Sequence, residues 1–334
     1  MSKFNPYDLI ERYRKGTIDM SQEIVPKEPA FRTVPGEQKE LVTIEGQNEF
    51  YHLVRNMELG NFSELDIAIV CLTAQFKYIT SKQILENLIL MGFDTNDTKV
   101  TNSINKLHKN QLVYMFKFAA PDGRKTNFRV VTLDRFGYQM AQQLEVPCNW
   151  SVFEKIDSVA RIKKYLAGNQ LRNAFLKSGL KIEWLYSRKN IFGKEKGQIV
   201  KPAFYMMMDG NIFCFEVVRR YEFWQQELAD KLSRYEEVFS NPFDNSLTLE
   251  EKPLLIFNGE DEEHNIEINA IIKELNLSFD VMFTHDMLHF GKKFKYSLYQ
   301  LNEDDNAEYF ELPIQFNDSV TQLNVSENDS TFSA

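Results

Sequence analysis

A chain of 334 residues, 43% of them hydrophobic, has material for about two domains, and no apolar run approaches the roughly 18 residues of a membrane span. Three separated cysteines in apolar contexts (Cys71, Cys148 and Cys214), five scattered histidines and a start without a signal-peptide apolar segment predict buried thiols, no metal or other cofactor, no membrane and a cytoplasmic location. The net charge of −9 is uneven: residues 241–334 hold 19 Asp/Glu and 5 Lys/Arg, so the first 240 residues are net +5 and remain compatible with a nucleic-acid partner.

Residues 1–62 open with a short amphipathic segment, Tyr7 to Tyr13. A stretch punctuated by Pro26, Pro29 and Pro35 follows, with few large apolar residues before Phe50. This reads as an extended arm. Residues 63–145 read as a winged helix-turn-helix. Ser63 and Glu64 cap a helix with Leu65, Ile69, Leu72 and Phe76 on its apolar face. Thr80 or Ser81 starts a second helix with Ile84, Leu85, Leu88 and Ile89, closed by Gly92. Asn96 or Asp97 caps a third, whose core face is Val100, Ile104 and Leu107. Two strands, Leu112 to Phe118 and Asn127 to Leu133, flank a turn bearing Arg124 and Lys125, and a helix from Phe136 to Leu144 completes the domain.

Residues 146–152 read as a linker, and a second domain spans 153–301. It begins with a basic segment: a helix across Ala160 to Leu176, a strand from Leu180 to Tyr186 and a Lys/Gly loop from Ile191 to Gly197. Two apolar runs, Ala203 to Met208 and Ile212 to Val218, surround Asp209-Gly210-Asn211, a strong hairpin signal. Phe223, Leu228, Leu232, Tyr235, Val238 and Phe239 then recur at helical spacing. A short strand at Pro253 to Phe257, a helix at Ile266 to Leu275, a strand at Phe279 to Phe283 and an edge strand at Lys295 to Leu301 follow. Residues 302–334 read as an acidic, disordered tail with one last strand near Phe310 to Ile314. The fold class is therefore α+β.

Three constellations could carry chemistry. The third helix turns Lys99, Thr101, Asn102, Asn105, Lys106 and Lys109 away from its core face. Short amides suit base edges and lysines suit phosphates, as a recognition helix requires, with Arg124 and Lys125 of the wing as further DNA contacts. A solvated face or a protein-contact module gives the same composition. Second, basic residues from Arg161 to Lys201, interleaved with Tyr165, Phe175, Trp184 and Tyr186, suit phosphate neutralisation or a solvated face balanced by the acidic part. Third, Glu216 sits inside an apolar strand, where a carboxylate needs a cation or a metal. Lys231 on the following helix or Arg219 would close an ion pair with it, Lys231 being the natural cation. Metal-dependent cleavage needs a second acid, for which Glu183 or Asp209 would have to serve.

Pro202, the hairpin, Glu216, Arg219 and the spaced Lys231 and Tyr235 give an order that resembles the restriction-endonuclease-like fold. More closely, it resembles the replication-relaxation family of plasmids and conjugative elements, in which a winged helix precedes a nuclease-like domain. The resemblance spans roughly residues 64–300. Ala203 and Val218 depart from it at two catalytic positions. It implies a restriction-endonuclease-like α/β domain with a central mixed sheet, and a sequence-specific double-stranded DNA-binding protein acting in plasmid replication or conjugative transfer. It also implies other replication or transfer proteins as partners and a catalytically inactive nuclease-like domain. The alternatives are an active metal-dependent nuclease with rearranged ligands, using Glu216 and Lys231, and a protein-interaction adaptor that binds no DNA.

Overall fold

The computed structural model describes residues 29–42, 51–52, 55–56, 59–126, 128–148, 150–208, 210–239, 245–247, 252–277, 280–289 and 291–312. The segment Tyr7–Tyr13, Asp209 and residues 313–334 lie outside them. The architecture is mixed α+β, with seven α-helices among the described residues and a large mixed sheet. The chain divides into two compact units, residues 33–169 and residues 170 onward with the segment before Thr33.

In the first unit, strand β1 (Gln38–Leu41) precedes α1 (Glu64–Phe76), β2 (Ile79–Thr80), α2 (Ser81–Leu90) and α3 (Asp97–Lys109). Strands β3 (Val113–Ala119) and β4 (Val130–Leu133), helix α4 (Arg135–Gln143), a 3-10 turn (Val152–Ile156) and α5 (Val159–Lys177) follow. Each helix start satisfies its free amides with a side chain. Ser63 and Asp66 form a capping box on α1, Thr80 and Gln83 another on α2, and Asn96 and Asp134 cap α3 and α4. The apolar faces, including Ile69, Leu72, Ile84, Leu88, Val100, Ile104 and Leu107, meet β3 and β4 in one core. The sheet order is β1-β3-β4-β2, antiparallel throughout.

Two expectations are corrected here. The 1–62 arm is not wholly extended coil: its β1 pairs with β3, and Lys39 Nζ donates to the Lys155 and Asp157 carbonyls at 2.6 and 2.7 Å. Glu37 and Lys163 add a buried pair at 2.5 Å. The sequence Gln-Lys-Glu-Leu gives no sign of this because β1 is mostly exposed and is held by backbone and charge rather than by an apolar face. Nor is 146–152 a free linker. Trp150 stacks on Tyr138 with ring centroids 5.2 Å apart and donates Nε1–H to Leu133 O at 3.1 Å. The division falls instead within α5, whose first half buries Ile162 and Leu166 and whose second half gives Leu171, Ala174 and Phe175 to the second unit.

The second unit adds β5 (Ile182–Ser187), the hairpin β6 (Ile191–Phe192) and β7 (Ile199–Val200), β8 (Phe204–Met208), β9 (Asn211–Val217), α6 (Trp224–Phe239) and β10 (Leu254–Gly259). It closes with α7 (Glu262–Leu275), β11 (Val281–His285), β12 (Leu298–Leu301) and β13 (Ala307–Phe310). Seven strands form one sheet in the order β13-β12-β11-β10-β9-β8-β5. β9, β10 and β11 run parallel, and the outer strands pair antiparallel. Gly210, at φ +76°, supplies the left-handed backbone of the β8–β9 turn. Cys214, Leu255, Phe257, Phe283 and Tyr299 on one face pack with α6 and α7. Phe204, Met206, Phe213, Phe215 and Ile256 on the other pack with the second half of α5. Both faces of β8 and β9 are thus covered, as their unbroken apolar runs require.

At the far edge, Leu298–Leu301 is not an edge strand and 302–312 is not a free tail. β13 pairs outside β12, with Leu298 opposite Phe310 and Leu301 opposite Ala307. The acidic run 303–305 hides this, but Tyr309 and Phe310 are buried.

Candidate functional site

The third helix keeps its two faces. Val100, Ile104 and Leu107 are buried; Lys99, Asn102 and Lys109 are exposed, while Thr101, Asn105 and Lys106 are half-buried. Three of the six candidates bond within the chain, Lys99 Nζ only at the surface, where it donates to Asp94 O at 3.3 Å. Lys106 Nζ donates to Asp66 Oδ2 at 2.6 Å and to Asn61 O at 2.5 Å. Asn105 Oδ1 accepts from Arg129 Nη1 at 3.1 Å. Asp66 was not singled out in the sequence, although its place three residues after Ser63 is a capping-box signal. Its buried carboxylate also takes the Ser103 hydroxyl. Burial pushes this carboxyl up, but the bonds from Lys106, Ser103 and Ser63 outweigh it and hold it below the usual carboxylate range. In the β3–β4 hairpin, Arg124 Nε meets Asp122 Oδ2 at 2.7 Å and Lys125 Nζ meets Glu40 Oε1 of β1 at 2.6 Å, all in exposed positions.

The acid of the second unit is enclosed. Glu216, on the α6 face of β9, is only 2% exposed. Its Oε2 accepts from Lys231 Nζ at 2.6 Å and its Oε1 accepts from the Tyr235 hydroxyl. Lys231 and Tyr235 lie one turn apart on α6, which aims both at one carboxylate. Lys231 also donates to Lys201 O at 2.9 Å. Burial, then the neighbouring Glu216, push the Tyr235 phenol well above its ordinary value; it stays a donor. Ala203 Cβ carries no ligand where the resemblance places an acid, and its amide is spent on Phe215 O at 2.9 Å. Glu183 bonds Gly210 N at 3.0 Å, at the opposite end of the β8–β9 hairpin from Glu216. Asp209, the other substitute acid, is outside the described residues. Among the described residues no group of three or more His, Cys, Asp or Glu side chains could hold a metal ion. Chemically, Lys231 and Tyr235 each occupy one oxygen of the enclosed Glu216 carboxylate, Lys231 with the opposite charge.

A third cluster, missed in the sequence, sits at the carboxyl ends of β9, β10 and β11. Arg219 is fully buried; its Nη2 donates to Asp286 Oδ1 at 2.6 Å and its Nη1 to Val218 O at 2.7 Å. Asn258 Nδ2 reaches the same Asp286 oxygen at 3.3 Å. Burial raises the Asp286 carboxyl, with Arg219 opposing it. His264 accepts from Glu260 N at 3.1 Å and stands edge-on to Trp224; burial and then Arg220 and Arg219 push it down to about 3. Burial likewise drives His289 well below its ordinary range. The sequence signals were Arg219 and Arg220 directly after an apolar strand, and His264 after the acidic run Asp261 to Glu263, which reads as a solvated loop before a helix.

No protein-family profile matches the chain, and no curated protein matches it. Among solved structures, protein VC1899 from Vibrio cholerae matches at 10% identity with a TM-score of 0.24, over 74% of this chain and 55% of that one. The chain thus spans about half the length of that protein.

Proposed function

We propose that the chain is a sequence-specific double-stranded DNA-binding protein of the replication-relaxation type, acting in plasmid replication or conjugative transfer, whose nuclease-like unit does not cut. The observation that carries this reading is α3. It is an end-capped helix, anchored on one side by Val100, Ile104 and Leu107, that presents Lys99, Asn102 and Lys109 to solvent. Its setting supports a winged helix: three helices precede the β3–β4 hairpin, and β2 pairs with β4. Such a helix enters a major groove with amides on base edges and lysines on phosphates. The second unit supports the nuclease-like part through the β8–β9 hairpin followed by α6, with Glu216, Lys231 and Tyr235 joined. Its lack of cleavage rests on Ala203 and on the closed Glu216 carboxylate.

Selection of bound duplexes from a randomised pool, followed by anisotropy titration of the full chain, tests the reading. A recurrent motif is expected. Asn102→Ala should relax the preference for it by about 1–3 kcal/mol, and Lys109→Ala should weaken all duplexes alike. Failure to bind any duplex at low salt would overturn DNA binding. Mg²⁺- or Mn²⁺-dependent cleavage that vanishes in folded Glu216→Gln would overturn the inactive assignment.

A further inference from the structure

We infer that the second unit carries its own single-stranded nucleic-acid site, on the outer strand β5 and the β6–β7 hairpin. This site is separate from α3 and does not depend on the duplex-binding reading. Three observations within residues 177–201 carry it. First, β5 is an edge of the seven-stranded sheet, and its Tyr186 is 42% exposed beside half-buried Trp184, with ring centroids 5.3 Å apart. Second, the β6–β7 hairpin buries Ile191 and Val200 on one side but leaves Phe192, 47% exposed, and Ile199 facing water on the other. Third, the segment Lys177 to Lys201 holds seven Lys/Arg against two Asp/Glu, in a chain whose net charge is −9. Lys189 Nζ lies 4.2 Å over the Tyr186 ring, and Lys196 is exposed at the hairpin tip.

Exposed aromatics interleaved with flexible cations match what a single strand offers. Unpaired bases stack on the rings, and the phosphates between them meet the lysines. Bases inside a duplex are already stacked and cannot reach Tyr186 or Phe192 this way. An exposed cation–π contact is weaker than base stacking, so a base displaces Lys189 from the ring and its phosphate then accepts the ammonium. An apolar protein partner would not account for the excess of cations; single-stranded DNA or RNA accounts for both features.

The test is anisotropy of a labelled oligothymidylate, about 20 nucleotides long to span one such site, with the full chain at low salt. Oligothymidylate has no duplex form, so it isolates the single-strand term. Tyr186→Ala and Phe192→Ala alter exposed side chains, and circular dichroism checks their fold. Each should weaken binding about tenfold, within the range for losing one stacked base. Lys189→Met should lower the slope of log affinity against log salt by about 0.7. Duplex affinity of Tyr186→Ala, measured on the same samples, should stay at the wild-type value. The inference is overturned if oligothymidylate does not bind, if unlabelled duplex or polyglutamate competes as well as unlabelled oligothymidylate, or if folded Tyr186→Ala and Phe192→Ala bind it like wild type.

Discussion

Removing Lys231 should cost more than neutralising Glu216, although both changes break the same contact. In Lys231→Met the buried carboxylate keeps only the Tyr235 hydroxyl. Stripping one partner from a buried ion pair costs about 3–5 kcal/mol. Lys231 is itself 22% exposed, so water reaches that side of the pair and the lower end, about 3 kcal/mol, is expected. In Glu216→Gln the amide oxygen still accepts from Tyr235, and Lys231 retains Lys201 O at 2.9 Å and a path to solvent. The loss should then be near that of one ordinary hydrogen bond, about 1 kcal/mol. The double variant carries no isolated charge and should be more stable than Lys231→Met alone. Urea unfolding followed by tryptophan fluorescence measures this in a Trp150→Phe background, where Trp184 and Trp224 report the second unit. Equal losses in the two single variants, or a double variant no more stable than Lys231→Met, would refute the reasoning.

Histidine burial predicts a pH dependence. His264 and His289 titrate below their unfolded value when folded, so stability of the second unit should be level above about pH 6.5 and fall below it as the unfolded chain takes up protons, each contributing up to about 1.4 kcal/mol per pH unit. Melting curves across that range should show the fall, and His264→Asn, which keeps an acceptor for Glu260 N, should reduce its steepness. Asp66→Ala should destabilise the first unit by about 2–3 kcal/mol in urea unfolding, because Ser103 loses a buried acceptor and α1 loses its capping box. Ending the chain at Asn302 should cost about 4 kcal/mol or more, since Tyr309, Phe310 and Leu312 are all buried; an unchanged melting temperature would show that β13 adds nothing.

Elements whose signal is local were legible in the sequence. The helices from Glu64 to Lys109 announce themselves by caps and by apolar residues at helical spacing, and β8–β9 by two apolar runs around Asp-Gly. What could not be read depends on partners distant in the chain. β1 is a strand because β3 offers an open edge and because Lys39 and Glu37 meet residues more than a hundred positions away. The last strand, expected near Phe310 to Ile314, falls instead at Ala307–Phe310 because β12 offers another open edge there. The bond from Glu183 to Gly210 likewise reflects the position of β5 against β8, and not its spacing from Glu216. The Glu216–Lys231 pair was legible because one carboxylate stood in an apolar strand with a single well-spaced lysine on the next helix.

The same logic decides which cations can leave the protein surface for a ligand. A lysine whose acid partner is buried cannot, because its departure leaves a charge in a poor solvent. Lys106 is of this kind: its side chain is partly exposed, but Asp66 beneath it is not, so composition overstates it as a phosphate contact. Arg124 and Lys125 are the opposite kind. Asp122 and Glu40 are about half exposed, water can take over from either cation, and such surface pairs contribute little to stability. Phosphate can therefore recruit both hairpin cations at small cost. Under the proposed duplex-binding reading, the charges left to meet phosphate in the first unit would be Lys99 and Lys109 together with Arg124 and Lys125, while Lys106 ties α3 to Asp66 of α1.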